Sequence, residues 1–463
     1  MVPWHFKERI IRREAQYPAD GGKFIRNQSH LEAQAPSPRT NMLKRELPLM
    51  QFADLAAVAV AATLPWSTST TAVLIGVWLV MVLPTFNAAS IRESFAISPG
   101  EKVAGALPVL LCALSLVSML WADVGWNERL AGATGFIKLL AIPLLAAQFY
   151  RSDHGNRVLF GFLASATVLL LDSWCLVLLP GLPWRGRSLG VPVKDYLVQS
   201  GIFVTCAFVL LHYALQLRIR DRHLAILVFV LAGIFLTNLA YVATARTAIV
   251  VFTVLLVVFG GWHFRWKGIL GGLAALSLIG ILLWFSSNDF RNQTLSTVQR
   301  TEGIGTNYIS ISTGVRLEIW RKSIELIMQS PFIGHGTGTI SHLFGDEMIQ
   351  ELTAPGTAAR VDPHNQIFLV GIQTGSLGIA VLIAMWISHL LLFRNSGSLG
   401  WIGTVVVVQN IVSSMFNSHL SDFTQGWLYV FGVGVLGGMV MRRRRKSDTD
   451  ALDRRKEIAP LCT

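Results

Sequence analysis

Charge is scarce in this chain: Asp, Glu, Lys and Arg make up only 14% of its 463 residues. Soluble domains carry about a quarter charged residues, so a hydrophilic shell around one apolar core is excluded. Cysteine is equally thin. Cys112, Cys175 and Cys206 fall inside separate apolar runs and Cys462 lies in the terminal stretch, which gives neither a disulfide framework nor a zinc-ligand spacing. Strands alternating polar and apolar residues, the mark of a membrane barrel, are missing. No pair of carboxylates of the hydrolase kind is evident, which argues against double-displacement chemistry.

What remains is apolar. Hydrophobic residues make up 52% of the chain and the mean hydropathy is +0.51. Repeated runs approach the twenty or so apolar residues that cross a bilayer. Backbone amides in hydrocarbon need partners within their own segment, so each run reads as a helix. The expected fold is therefore an all-α polytopic membrane protein. Twelve spans are expected, at 49–66, 70–86, 103–121, 132–149, 158–180, 196–217, 224–242, 247–262, 268–285, 367–392, 399–415 and 426–441. They divide the chain into a tail at 1–48, nine spans within 49–285, a long loop at 286–366, three spans within 367–441 and a basic tail at 442–463. Residues 1–48 are polar, without the short basic start and apolar core of a cleavable signal peptide, and read as a flexible cytoplasmic tail.

Charge placement orients this threading. With both termini inside, 27 of the 39 Lys and Arg fall in cytoplasmic segments, 11 in outer ones and Lys138 within a span. That is the positive-inside distribution, and the run "RRRRK" at 442–446 fixes the C-terminal side. The net charge of +12 is thus accounted for by topology and does not point to nucleic acid.

The outer segment 286–366 stands out among short turns. Within it "GVRLEIWRKSIELIM" sets Leu317, Trp320, Ile324 and Ile327 opposite Glu318, Lys322 and Glu325, the pattern of an amphipathic helix. Ser312 or Thr313 is expected to cap its start, and Ser330-Pro331 to stop it. "GHGTG" at 334–338 follows a helix stop and lacks a Lys-Ser ending, so it reads as a flexible loop and not a phosphate cradle. "DTD" at 448–450 reads as a solvated charge patch.

Ionisable groups at the membrane are costly and are functional candidates. Arg187, Arg246 and Arg316 collect on the side that should be poor in cations. Arginine's planar fork suits the oxygens of a diphosphate; a lone Arg246 is equally well an interfacial side chain. Arg185 and Arg321 read as headgroup or surface charges. Lys138 and Asp172 lie seven or eight residues below the outer ends of neighbouring spans, about 10 to 12 Å deep, and are expected to pair or to share a water. His364 follows Pro363 and precedes Asn365 at the lip of a span. It either satisfies backbone groups at a helix start capped by Asp362, or is a neutral imidazole poised to take a hydroxyl proton while Asp362 or Asn365 holds it. Gly375 and Gly378, further along, permit a close approach.

Three of these stretches resemble one family. "HNQIFLVGIQTGSLG", from His364, resembles the signature of the O-antigen ligases of the bacterial inner membrane. "STGVRLEIWRKSIELIMQSPFIGHGTG" resembles the loop shared by those ligases and the related O-antigen polymerases, and "TARTA" around Arg246 is similar to the arginine opening a span in the same superfamily. The resemblance implies transfer of a finished polysaccharide from undecaprenyl diphosphate to the lipid A core, at the periplasmic face, inverting and without a metal or other cofactor. It implies that Arg246 and Arg316 bind the diphosphate and that His364 serves the acceptor hydroxyl. Arg187, Asn365, Trp320, Lys138 and Asp172 complete the expected substrate-binding set. The expected partners are undecaprenyl-diphosphate-linked O-antigen, the lipid A-core acceptor and membrane lipids. An O-antigen polymerase is the nearest alternative, and a membrane transporter the alternative of another class. The long outer segment and the lack of an internal repeat weigh against the transporter.

Overall fold

A computed structural model describes residues 38–86, 98–179, 189–286, 308–345 and 362–458. Arg185, Arg187, Arg360 and Cys462 lie outside the described residues. Contacts divide the chain into Met1–Arg45, whose described residues are helical, and Glu46–Thr463. The rest of the description concerns the second unit.

Its helices follow the apolar runs. α1 (Pro38–Thr63), α2 (Thr68–Val82) and α3 (Pro99–Ser118) come first. α4 (Trp126–Ile137) and α5 (Ala141–Arg151) join through a tight turn at Lys138–Leu140 into one span, and α6 (Gly155–Leu178), α7 (Tyr196–Leu217), α8 (Arg222–Tyr241) and α9 (Arg246–Ser286) follow. Then come α10 (Tyr308–Gln329), the short α11 (Ile340–Phe344), α12 (Gln366–Phe393), α13 (Gly397–Ser414) and α14 (Phe423–Ile458). Ten helices among the described residues are long and apolar enough to cross a membrane, and Leu49–Thr63 is a shorter apolar helix. The protein is an all-α multi-pass membrane protein. The expected spans 247–262 and 268–285 are the two helical arms of α9, parted by a break at Arg265, where φ is 58°. Backbones of Gly260 and Gly268 then meet across the break.

α14 packs along α5, α7 against α8, and α12 against α3. Gly434 and Gly438, one turn apart on α14, bring its backbone against the carbonyls of Ile142 and Ala146 on α5. Without a large hydrophobic drive between helices in lipid, such small-residue seams supply the packing.

α12 is discontinuous. At Gly375 φ is 66°, which breaks the ladder between its two halves. The freed groups are taken up by the loop after α10. The amides of Ser376 and Leu377 donate to the carbonyls of Pro331 and Phe332 at 2.7 and 3.3 Å, and the amides of His335 and Gly336 donate to Ile372 and Gln373 at 2.8 and 2.9 Å. "GHGTG" is therefore a fixed insert and not the flexible loop expected. Its glycines turn with positive φ where a side chain would meet neighbouring backbone, and Thr337 is fully buried against the hydroxyls of Ser115 and Ser118. The close approach expected at Gly375 occurs, with the partner being the Phe332–Ile333 backbone.

α10 ends at Gln329, as Ser330-Pro331 requires, but it begins at Tyr308, so Ser312 and Thr313 lie inside the helix and not at its cap. Its inward face also differs from the expected stripe. Ile319, Ser323 and Leu326 are buried with Ile372 and Phe344, Trp320 and Ile327 flank them, and Leu317 and Ile324 face outward. Counting apolar residues could not separate a face toward protein from a face toward lipid, because both are apolar.

Candidate active site at the His364 turn

The first turn of α12 is built by its polar approach. Asn365 is the N-cap: its Oδ1 accepts from the amides of Ile367 and Phe368 at 2.8 and 3.4 Å, and its Nδ2 donates to the Met415 carbonyl at 3.1 Å. The expected cap, Asp362, sits three residues too early to reach those amides. Its Oδ1 accepts instead from the His364 amide at 2.9 Å and from the Ser418 hydroxyl. Between them His364 is held at φ 51°. A non-glycine residue in the left-handed region is uncommon and is kept where surrounding structure over-determines it, often at functional sites.

Three elements hold this turn. From α10, Trp320 Nε1 donates to the Pro363 carbonyl at 3.1 Å, and its indole meets Phe368 edge-on with centroids 6.0 Å apart. From the connection between α13 and α14, Asn417 Oδ1 lies 3.1 Å from His364 Nδ1, and Asn417 Nδ2 lies 3.1 Å from His419 Nε2. Neither Asp362 nor Asn365, the residues expected to hold the imidazole, contacts the ring. Asp362 is spent on a hydroxyl and a main-chain amide, and Asn365 on the cap.

Arg316 is half-buried on α10, one turn before Trp320, and Arg246 is the exposed first residue of α9. Among the described residues neither guanidinium has a hydrogen-bond or ion-pair partner. The structure thus brings Trp320, His364 and Asn365 together and leaves the two arginines uncommitted.

The expected pair of Lys138 and Asp172 does not form. Lys138 is buried, and its Nζ donates to the carbonyls of Ser421 and Asp422 at 2.8 and 2.6 Å. Asp172 is half-exposed on α6, with no hydrogen-bond partner among the described residues. Equal depth fixes height in the membrane but not the direction a side chain faces, and Lys138 faces α14.

Residues 231–383 match a family model described as O-antigen ligase. Over this stretch the chain is similar to the O-antigen ligase family. The matched stretch is about a third of the chain and takes in Arg246, Arg316, Trp320, His364 and Asn365, while Lys138, Asp172 and Arg187 lie outside it. No curated protein matches the chain.

A cavity of about 400 Å³ opens beside the turn, lined among others by Glu128, His342, Asp362, Gln373, Ser418 and Asp422. Among the described residues no group of three or more His, Cys, Asp or Glu is placed to hold a metal ion. Enclosure by neighbouring elements pushes the Asp422 carboxyl up to about 6, and the nearby carboxylate of Asp362 adds to this while Lys138 opposes it. The Asp422 side chain is still 47% open, through the cavity, so water moderates both the effect of enclosure and that of the neighbouring carboxylate. Burial pushes His419 down to about 4, so its ring is neutral at pH 7.

Asn417, Ser418, His419 and Asp422 went unnoticed in the sequence because the turn between α13 and α14 looked too short to build a site. Its signal was compositional. "NSHLSD" places five polar residues within six, between two apolar helices.

Proposed function

We propose that the chain is an O-antigen ligase that transfers a polysaccharide from undecaprenyl diphosphate to the sugar core of lipid A at the periplasmic face of the inner membrane. The carrying observation is the His364 turn: a histidine held in a left-handed backbone, tied to α10 through Trp320 and to the α13–α14 connection through Asn417, beside a cavity lined in part by hydroxyls and carboxylates. Hydroxyls and carboxylates around that cavity suit a hydroxyl-rich sugar. Similarity to the O-antigen ligase family over 231–383 supports a polysaccharide transferase, and the matched stretch contains the histidine and both arginines.

In this reading Arg246 and Arg316, with Arg187, lie on the diphosphate oxygens. Fixed guanidinium groups stabilise the charge that develops as the diphosphate leaves. The acceptor hydroxyl attacks the anomeric carbon opposite the leaving group, and His364 takes its proton as the new carbon–oxygen bond forms. The anomeric carbon–oxygen bond breaks with its electron pair on the departing diphosphate oxygen, and attack from the opposite face inverts the centre. No step requires a metal ion or cofactor.

The test uses purified protein, undecaprenyl-diphosphate polysaccharide and lipid A core, with chelator present. The expected outcome is transfer that persists in chelator and falls about 100-fold or more in His364→Ala and Arg316→Ala, the usual scale for losing a base or a fixed charge. Growth of sugar on the undecaprenyl carrier would identify a polymerase instead. Transfer at the parental rate in both variants would overturn the reading.

A further inference from the structure

We infer that Asn417 is a positioning residue that holds His364 with its proton on Nδ1 and leaves Nε2 as the nitrogen that accepts the hydroxyl proton. The inference rests on the proposed role of His364 as base. It begins from one amide placed between two imidazoles, 3.1 Å from His364 Nδ1 through Oδ1 and 3.1 Å from His419 Nε2 through Nδ2. A carboxamide oxygen only accepts, and its NH₂ only donates. His364 Nδ1 therefore carries hydrogen, and His419 Nε2 is bare. Were the amide turned over, both rings would change tautomer together, and the basic lone pair of His364 would move to Nδ1, against Asn417. One side chain thus couples the protonation pattern of two histidines.

The groups facing the pair support this orientation. Asp362, on the same turn, binds the Ser418 hydroxyl and the His364 amide, so its carboxylate sets the backbone and leaves the ring alone. From the α13–α14 connection, His419 is buried and neutral, able to accept through Nε2, and Asp422 Oδ2 is 3.8 Å from that nitrogen, beyond hydrogen-bonding reach. From the start of α7, the Asp195 carboxylate favours the charged form of His419, which burial overrides. With Nε2 accepting, His419 Nδ1 carries the second hydrogen, and it is buried without a partner among the described residues. Native structures retain few such groups, and they call for a reason; here the reason is the tautomer imposed on His364. An amide also orients the ring without adding charge. A carboxylate in its place would stabilise the imidazolium and move the onset of base activity to higher pH.

The experiment follows transfer from undecaprenyl-diphosphate polysaccharide to lipid A core between about pH 5 and 9, for the parent, Asn417→Asp, Asn417→Leu and His364→Gln. Asn417→Asp keeps the shape and adds a charge, so the acidic limb is expected to move up by about one pH unit. Because neutral imidazole is the active form, its rate is expected to be lost at the acidic end of the range and recovered at the alkaline end. Asn417→Leu is expected to lower kcat about 10- to 100-fold with KM unchanged. If Asn417→Leu fails to fold, the limb of the isosteric Asn417→Asp decides. Parental pH profiles and kcat in the Asn417 variants, with His364→Gln inactive, would overturn this inference alone. Parental activity in His364→Gln would instead remove the base on which it rests.

Discussion

At the scale of single residues the sequence was informative about identity and poor about pairing. His364 and Asn365 stood out because a polar run beside a span is expensive, Trp320 because its loop resembles that of the O-antigen ligases, and Trp320 bonds the Pro363 carbonyl beside the other two. Their partners were not legible, because contact across 43 or 53 positions of chain is set by the packing of helices and leaves no local pattern. Lys138 shows the consequence for energetics. Its ammonium donates to two carbonyls where the chain enters α14, so Lys138→Met removes the donor from the Ser421 carbonyl, while the Asp422 carbonyl keeps the Gly426 amide. The expected cost is about 1–3 kcal/mol, the usual penalty for orphaned polar groups. Asp172→Asn touches neither group. The two substitutions should therefore add to within about 0.5 kcal/mol in a thermal or denaturant melt, as independent sites do. A coupling well above that would restore the ion pair that depth alone suggested.

At the scale of elements, helices were legible wherever hydrocarbon forces the backbone to bond within itself, and illegible where a neighbour supplies the bonds. The break in α12 is of the second kind. Nothing in "GIQTGSLG" announces that the ladder stops at Gly375, since glycine is common in membrane helices and tolerated within them. The break is stable because residues 331–336 return four hydrogen bonds to it, which also explains why the glycines of "GHGTG" cannot be replaced. A Cβ on Gly336 would lie 2.6 Å from the Ala122 backbone at a φ of 96°. Gly336→Ala should thus lower stability by more than about 2 kcal/mol, since overpacking and a left-handed backbone both oppose it. Gly233→Ala on α8, where a Cβ meets nothing within 4 Å, should be neutral or stabilising by up to about 1 kcal/mol from helix propensity. Melting of the two variants in the same detergent separates a packed insert from a mobile loop, which would tolerate both.

At the scale of the whole molecule, composition and charge give two different kinds of information. Hydropathy identifies the spans without reference to direction, whereas the asymmetry of Lys and Arg gives direction without reference to packing. The proposed site depends on the second. If Arg442–Lys446 is cytoplasmic, an odd number of crossings from there back to the connection before α14 puts Asn417, His364 and α11 outside, where a lipid-linked polysaccharide would be met. Replacing the native cysteines and then introducing one at Ser341, beside the cavity, or at Asp448, beyond the arginine run, tests this directly. A membrane-impermeant maleimide applied to spheroplasts should label the cysteine of Ser341→Cys and not that of Asp448→Cys, and disruption of the membrane should expose the latter. The reverse pattern would place the His364 turn in the cytoplasm. It would remove the periplasmic reaction while leaving the fold untouched, because the packing of α5 on α14 and of α10 on α12 is indifferent to which side of the bilayer it faces.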